Sequence, residues 1–197
     1  RLSLITHLII IIYLINSIIM KKQISKKELQ DERLNKILSQ AKEKIGVKTN
    51  IKLIEQENKK VPCIYGYITP KILLTNEIVK KDDKTILHIF MHELSHYKRK
   101  DIIINKILIL ITIIHWFNPI LWFCFKQIRQ DMELKADELV VSKLKKDESK
   151  EYAKSLVSLL PIANEEKQIP KLLYVTDGKK NMERRIKMIK LSEKFKE

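Results

Sequence analysis

A chain of 197 residues, 45% of them hydrophobic, is long enough for one or two domains with a sizeable core. Its two cysteines, Cys63 and Cys124, exclude a disulfide framework and fit a reducing compartment, with each read as an ordinary buried residue. A formal charge of +15, mostly lysine, would suit nucleic acid or an anionic membrane surface; with no RNA-binding signature, zinc-finger spacing or recognition-helix pattern, direct nucleic-acid binding is not expected and the membrane is preferred.

Leu2 to Met20 is almost wholly apolar. A helix over residues 4 to 20 would be roughly 25 Å long, just short of a bilayer core of about 30 Å. The flank Lys21-Lys22-Gln23-Ile24-Ser25-Lys26-Lys27 lacks a small-residue cleavage site, which argues against a signal peptide. Its lysines fit the positive-inside rule, so residues 1–20 are read as a transmembrane helix whose C-terminal end is cytoplasmic. Because the chain begins at Arg1, it is expected to be a piece of something longer.

Residues 21–46 read as a juxtamembrane amphipathic helix, with Leu29, Leu34, Ile37, Leu38, Ala41 and Ile45 on one side. Ser25 and Glu28 have the spacing of a capping box, and Gly46 is the expected stop. Strands are predicted at Asn50–Glu55, Val61–Ile68 and Lys71–Thr75. An edge strand of such a sheet can hold an extended peptide, although a sheet that only covers a helix reads equally well. A short helix and turn are predicted from Asn76 to Asp83, with Asp82 or Asp83 capping the helix that follows.

That helix carries His92-Glu93-Leu94-Ser95-His96. Residues four apart share a helix face, so His92 and His96 can point two imidazoles at one ion. Glu93 is rotated off that face yet close enough to reach a water at the metal. This is the H-E-x-x-H arrangement of a zinc hydrolase, in which a carboxylate takes a proton from a zinc-acidified water. A charged helix that happens to hold two histidines is the bland alternative, so a third ligand is needed.

The second apolar run, Ile102 to Phe125, is interrupted by Lys106, His115 and Asn118-Pro119. Asn-Pro is a helix-start signal, so helices over about 84 to 114 and 119 to 145 are predicted to meet at Trp116-Phe117-Asn118 as an antiparallel hairpin. Measured from the turn, His96 and Glu133 lie about 20 and 16 residues away, which brings them within about 6 Å in height. Glu133 is thus the candidate third ligand, with one coordination position left open. Asp137, four residues on, can orient a ligating histidine from behind. Asp131 and Glu138 remain rivals to Glu133.

The stretches His92 to Asp101, His115-Trp116-Phe117-Asn118-Pro119-Ile120-Leu121-Trp122 and Glu133 to Val140 resemble the membrane zinc peptidases of the BlaR/MecR type. Val61-Pro62 to Gly66 and Pro70 to Leu74 are similar to the strand region that precedes that family's zinc helix, so the resemblance covers roughly residues 45 to 145. It implies a gluzincin site: His92, His96 and Glu133 as ligands of Zn2+, Glu93 as general base, and Asp137 as support. It also implies an integral protein of the cell membrane, with the peptidase domain facing the cytoplasm. There such proteins cut a transcriptional repressor or themselves in beta-lactam resistance signalling. Two departures stand out. Ala136 occupies a position where the family often has Cys, and no extracellular sensor follows before Glu197.

The tail, residues 146–197, reads as charged and helical, with a short amphipathic helix around Tyr152, Leu156, Leu159 and Leu160. A loop is predicted at 164 to 171, a turn at Asp177-Gly178, and a basic amphipathic helix from Met182 to Lys194. No chemistry is assigned to it. The expectation is an α+β, mainly helical membrane-associated zinc peptidase: transmembrane helix 1–20, amphipathic helix 21–46, peptidase core 47–145 and charged tail 146–197. Its expected partners are a protein or peptide substrate, membrane lipid and, as an open possibility, a second copy in a homodimer. Two alternatives stand beside it: a catalytically inactive membrane signalling protein and an HtpX-type quality-control protease. Neither His115 nor Tyr97 is more than a weak candidate for stabilising an oxyanion.

Overall fold

The computed structural model describes residues 2–23, 27–56, 61–159 and 178–194. The architecture is mainly helical with one small sheet, as expected of an α+β chain. Helix α1 (Leu2–Gln23) covers the N-terminal apolar segment and packs on the later helix α5. Among the described residues, no helix is long and apolar enough to cross a membrane.

The amphipathic helix begins later than the sequence predicts. Ser25 lies outside the described residues, and Glu28 is extended rather than helical, bridged to Ile54. Leu29 donates its N–H to Leu53 O at 2.9 Å and Glu55 donates to Lys27 O at 3.2 Å. A backbone paired along a strand cannot also begin a helix, so α2 (Glu32–Ile45) starts after Asp31, whose side chain accepts from the Leu34 N–H. Gly46 ends α2 as predicted, at φ 79°, with its N–H on Glu43 O and the Val47 N–H on Lys42 O. That pair of bonds closes a Schellman motif.

Strands β1 (Lys52–Glu55), β2 (Cys63–Tyr65) and β3 (Lys71–Leu74) lie in the order β1-β3-β2, with β1 parallel and β2 antiparallel to β3. Central β3 is buried on both faces. Ile72 and Leu74 join the main core, while Leu73 packs with Ile54 and Cys63. Residues 27–29 line the outer side of β1, so β2 forms the other edge.

After the short helix α3 (Asn76–Val79), Asp82 caps α4 (Asp83–Lys98) by accepting from the Thr85 N–H at 2.9 Å. Ile86, Ile89, Phe90, Met91 and Leu94 of α4 are buried in the main core. The single helix predicted over 84 to 114 is in fact two. The chain breaks at Lys100, which takes the left-handed conformation at φ 64°, and α5 (Asp101–Ile114) starts afresh. The break falls within the polar run Tyr97 to Asp101, and the new direction aims Asp101 back at α4.

Asn118 accepts from the Ile120 N–H and Pro119 opens α6 (Pro119–Ser142), as the Asn-Pro signal predicts. Helices α5 and α6 pack together, and Arg129 Nε reaches Asn105 Oδ1 at 3.1 Å across the pair. Ile107, Leu110, Ile114, Phe117, Ile120 and Phe123 leave this hairpin's outer surface apolar and exposed. Helices α7 (Lys146–Val157) and α8 (Gly178–Lys194) pack on α4, α6 and each other, and Tyr152, Leu156 and Ile189 enter the main core. The loop predicted at 164 to 171 and Asp177 lie outside the described residues.

Candidate metal centre

Helix α4 presents His92 and His96 one turn apart, with their Nε2 atoms separated by 3.1 Å. Glu133 of α6 meets both: Oε2 lies 3.5 Å from His92 Nε2 and Oε1 lies 3.5 Å from His96 Nε2. The three residues form a cluster with donor atoms within 4.8 Å of one another. Tetrahedral zinc with bonds of about 2.0–2.1 Å would separate its ligand atoms by about 3.3 Å, so this two-nitrogen, one-carboxylate triangle has the right size and donor chemistry. The rival acids face elsewhere. Asp131 pairs with Arg184 at 2.9 Å and Glu138 with Lys135 at 2.6 Å.

Each histidine is held from behind at Nδ1. For His92 the partners are Tyr152 Oη at 3.0 Å and Asp137 Oδ1 at 3.1 Å, and Tyr152 itself donates to Asp137 Oδ1 at 2.6 Å. For His96 the partner is Asp101 Oδ2 at 2.8 Å, which also receives Arg99 Nε at 3.2 Å. Such contacts at Nδ1 fix the tautomer that leaves Nε2 free for a metal. Arg185 of α8 grips Asp137 with two prongs, Nε on Oδ2 at 2.6 Å and Nη2 on Oδ1 at 2.8 Å.

Burial opposes charge on His92, Asp137 and Glu133, yet their mutual pairing prevails. His92 is disfavoured as a cation by burial but raised to about 9 by the carboxylates of Asp137 and Glu133. Asp137 is penalised by burial but pulled down to about 2, first by the Arg185 guanidinium. Burial likewise opposes ionisation of Glu133, and His96, His92 and Arg185 hold it well below the usual carboxylate range. The Tyr152 phenol is pushed up by burial and by Asp137, so it stays protonated as a donor.

Glu93 is buried beside the histidines, and its Oε2 accepts the backbone N–H of Ile64 in β2 at 2.8 Å. Burial pushes its carboxyl upward, opposed by the neighbouring imidazoles. Ile64 lies in the middle of the edge strand, so the acid of the motif and the sheet edge adjoin one another. The two weak oxyanion candidates have other engagements. Tyr97 Oη contacts Thr49 Oγ1 and Tyr67 O, and His115 Nδ1 contacts Ile111 O near the hairpin turn.

Sequence reasoning brings together Glu93, His92, His96, Glu133 and Asp137, and the structure places all five in one cluster. It misses Asp101, Tyr152 and Arg185. The last two come from the tail, to which no chemistry was assigned.

Residues 2–189 match the family described as BlaR1 peptidase M56. Regulatory protein BlaR1 of Bacillus licheniformis is 29% identical over 164 residues, which is 82% of this chain and 27% of that protein. The methicillin resistance mecR1 protein of Staphylococcus aureus is 27% identical over 186 residues, covering 93% of this chain and 32% of the relative. Regulatory protein BlaR1 of Staphylococcus aureus is 31% identical over 140 residues, covering 70% of this chain and 24% of the relative. The chain thus spans roughly a quarter to a third of the length of these relatives. With the matched region running from α1 into α8 and enclosing the whole cluster, the chain belongs to the BlaR1 peptidase M56 family.

Proposed function

We propose that this chain is the peptidase part of a membrane-bound zinc endopeptidase that cleaves a cytoplasmic protein, repressor-like, or itself, in signal transduction. The observation that carries the reading is the triangle of His92, His96 and Glu133 with the buried Glu93 adjoining it. In this reading those three hold the metal, and Asp137 and Asp101 hold the histidines in the tautomer that presents Nε2. Bound zinc would supply Lewis acidity and an acidified water. Glu93 takes the proton at its carboxylate and delivers it to the leaving amine; burial raises its proton affinity toward that task.

The membrane assignment is part of the same proposal. The spanning segment is residues 1–20, followed by a juxtamembrane segment 21–46 whose helix is α2, then the peptidase core 47–145 and the tail 146–197. The apolar outer face of the α5–α6 hairpin is covered by lipid, and the site faces the cytoplasm. Support comes from the exposed apolar side chains of α1 and of that hairpin and from the lysines after residue 20.

The test is cleavage of a quenched fluorescent peptide library, and of the chain itself by mass spectrometry, with detergent-purified protein. Zinc-dependent cleavage that a chelator abolishes, and that Glu93→Gln lowers by about 10²–10⁴-fold, is the expected result. Activity that survives Glu93→Gln contradicts the mechanism. Stoichiometric zinc with no cleavage of any sequence favours the inactive signalling core.

A further inference from the structure

Arg185 sits 48 residues from Asp137 in sequence, on a helix whose other cations, among the described side chains, lie outside. Lys180, Arg184, Lys187 and Lys190 are exposed, whereas Arg185 is buried. Besides its two-pronged hold on Asp137, its Nη1 lies 3.3 Å from Glu133 Oε2 and its Nη2 lies 3.4 Å from His92 Nε2. One guanidinium therefore faces two candidate ligands and the carboxylate behind one of them.

Anchoring a helix does not require this. The neighbouring Arg184 already ties α8 to α6 through Asp131 on the surface. Burying a guanidinium is costly and is repaid only by complete pairing. Glu133 and Asp137, one turn apart on α6, would otherwise repel each other across the same space. The planar fork of an arginine can engage both oxygens of Asp137 while another N–H reaches Glu133, and a lysine cannot match that.

We propose that Arg185 is a positioning residue of the metal centre: docked from α8, it holds Glu133 and Asp137 in the arrangement in which the three donors meet, so metal retention depends on α8. This rests on His92, His96 and Glu133 being the ligands.

The test uses the full chain in detergent, stripped of metal. Zinc affinity is measured by competition with a chromogenic chelator, and the visible absorption of the Co(II)-substituted protein reports the ligand field. Wild type, Arg185→Ala, Arg185→Lys and Arg184→Ala are compared. Arg185→Ala should bind zinc about ten- to a hundredfold more weakly and shift the Co(II) bands, Arg185→Lys should fall between, and Arg184→Ala should match wild type. A purely structural arginine would lower the melting temperature while leaving affinity and Co(II) bands unchanged, and that result overturns the inference. So does tighter zinc binding in Arg185→Ala. If Arg185→Ala does not fold, Arg185→Lys decides: wild-type affinity and spectrum overturn the inference, and several-fold weaker binding with shifted bands supports it. Failure of wild type itself to bind zinc overturns the ligand assignment beneath it.

Discussion

Asp101 Oδ2 lies 2.8 Å from His96 Nδ1, although the two residues belong to different helices. On one unbroken helix a residue five positions on would point about 140° away. The left-handed Lys100 between the helices turns Asp101 back, so the break serves the site.

Removing that contact should loosen the metal. Asp101→Ala is expected to weaken zinc binding by about ten- to a hundredfold, read by chelator competition on folded protein. Asp101→Asn, which keeps an acceptor for the imidazole N–H, should lose less. Equal affinity in Asp101→Ala and wild type would show that His96 needs no orienting partner.

Lys100 gives a direct test of backbone strain. Its side chain is exposed, and an L-residue at φ 64° carries a cost of roughly 1–2 kcal/mol that glycine escapes. Lys100→Gly should therefore leave the melting temperature unchanged or raise it, and Lys100→Val should lower it. Thermal unfolding of the three proteins checks this, and a lower midpoint for the glycine variant than for the valine variant would contradict it.

His88 predicts an acid-side loss of stability. It is buried, its Nδ1 lies 2.8 Å from Ser155 Oγ, and burial lowers its pKa from the ordinary 6.5. Below 6.5 the unfolded chain takes up a proton that the folded chain refuses. The neutral imidazole's contribution is thus complete above that value and fades as pH falls through the window below it. His88→Gln keeps a hydrogen-bonding side chain but cannot titrate, so denaturant unfolding from neutral pH toward pH ~5 should show a shallower loss than in wild type. Identical slopes would remove His88 from the account.

What the sequence discloses is what lies close together along it. The H-E-x-x-H turn places two imidazoles on one face through helix geometry alone, and Asn118-Pro119 fixes where α6 begins, which brings Glu133 to the same height. Asp82 and Gly46 announce helix ends through side-chain and backbone chemistry that acts within a few residues. Ser25-x-x-Glu28 has the same kind of local signature and misleads, because Glu28 is taken up in pairing along β1, a contact made with residues far along the chain. Tyr152 and Arg185 are hidden for the same reason. One sits in a short amphipathic helix and the other in a basic amphipathic helix to which the pattern assigns no chemistry, and only their packing against α4 and α6 brings them to the cluster. Asp101 was visible as a residue but not as a partner, because the break at Lys100 carries no glycine or proline to mark it.

The most direct test of the central claim is the zinc content of detergent-purified wild type, Glu93→Ala and Glu133→Ala, measured by elemental analysis. Wild type and Glu93→Ala should each hold about one zinc per chain, and Glu133→Ala should lose it, leaving Glu93 as the base beside a three-ligand site. Zinc retained by Glu133→Ala as tightly as by wild type, or absent from wild type, would contradict the account.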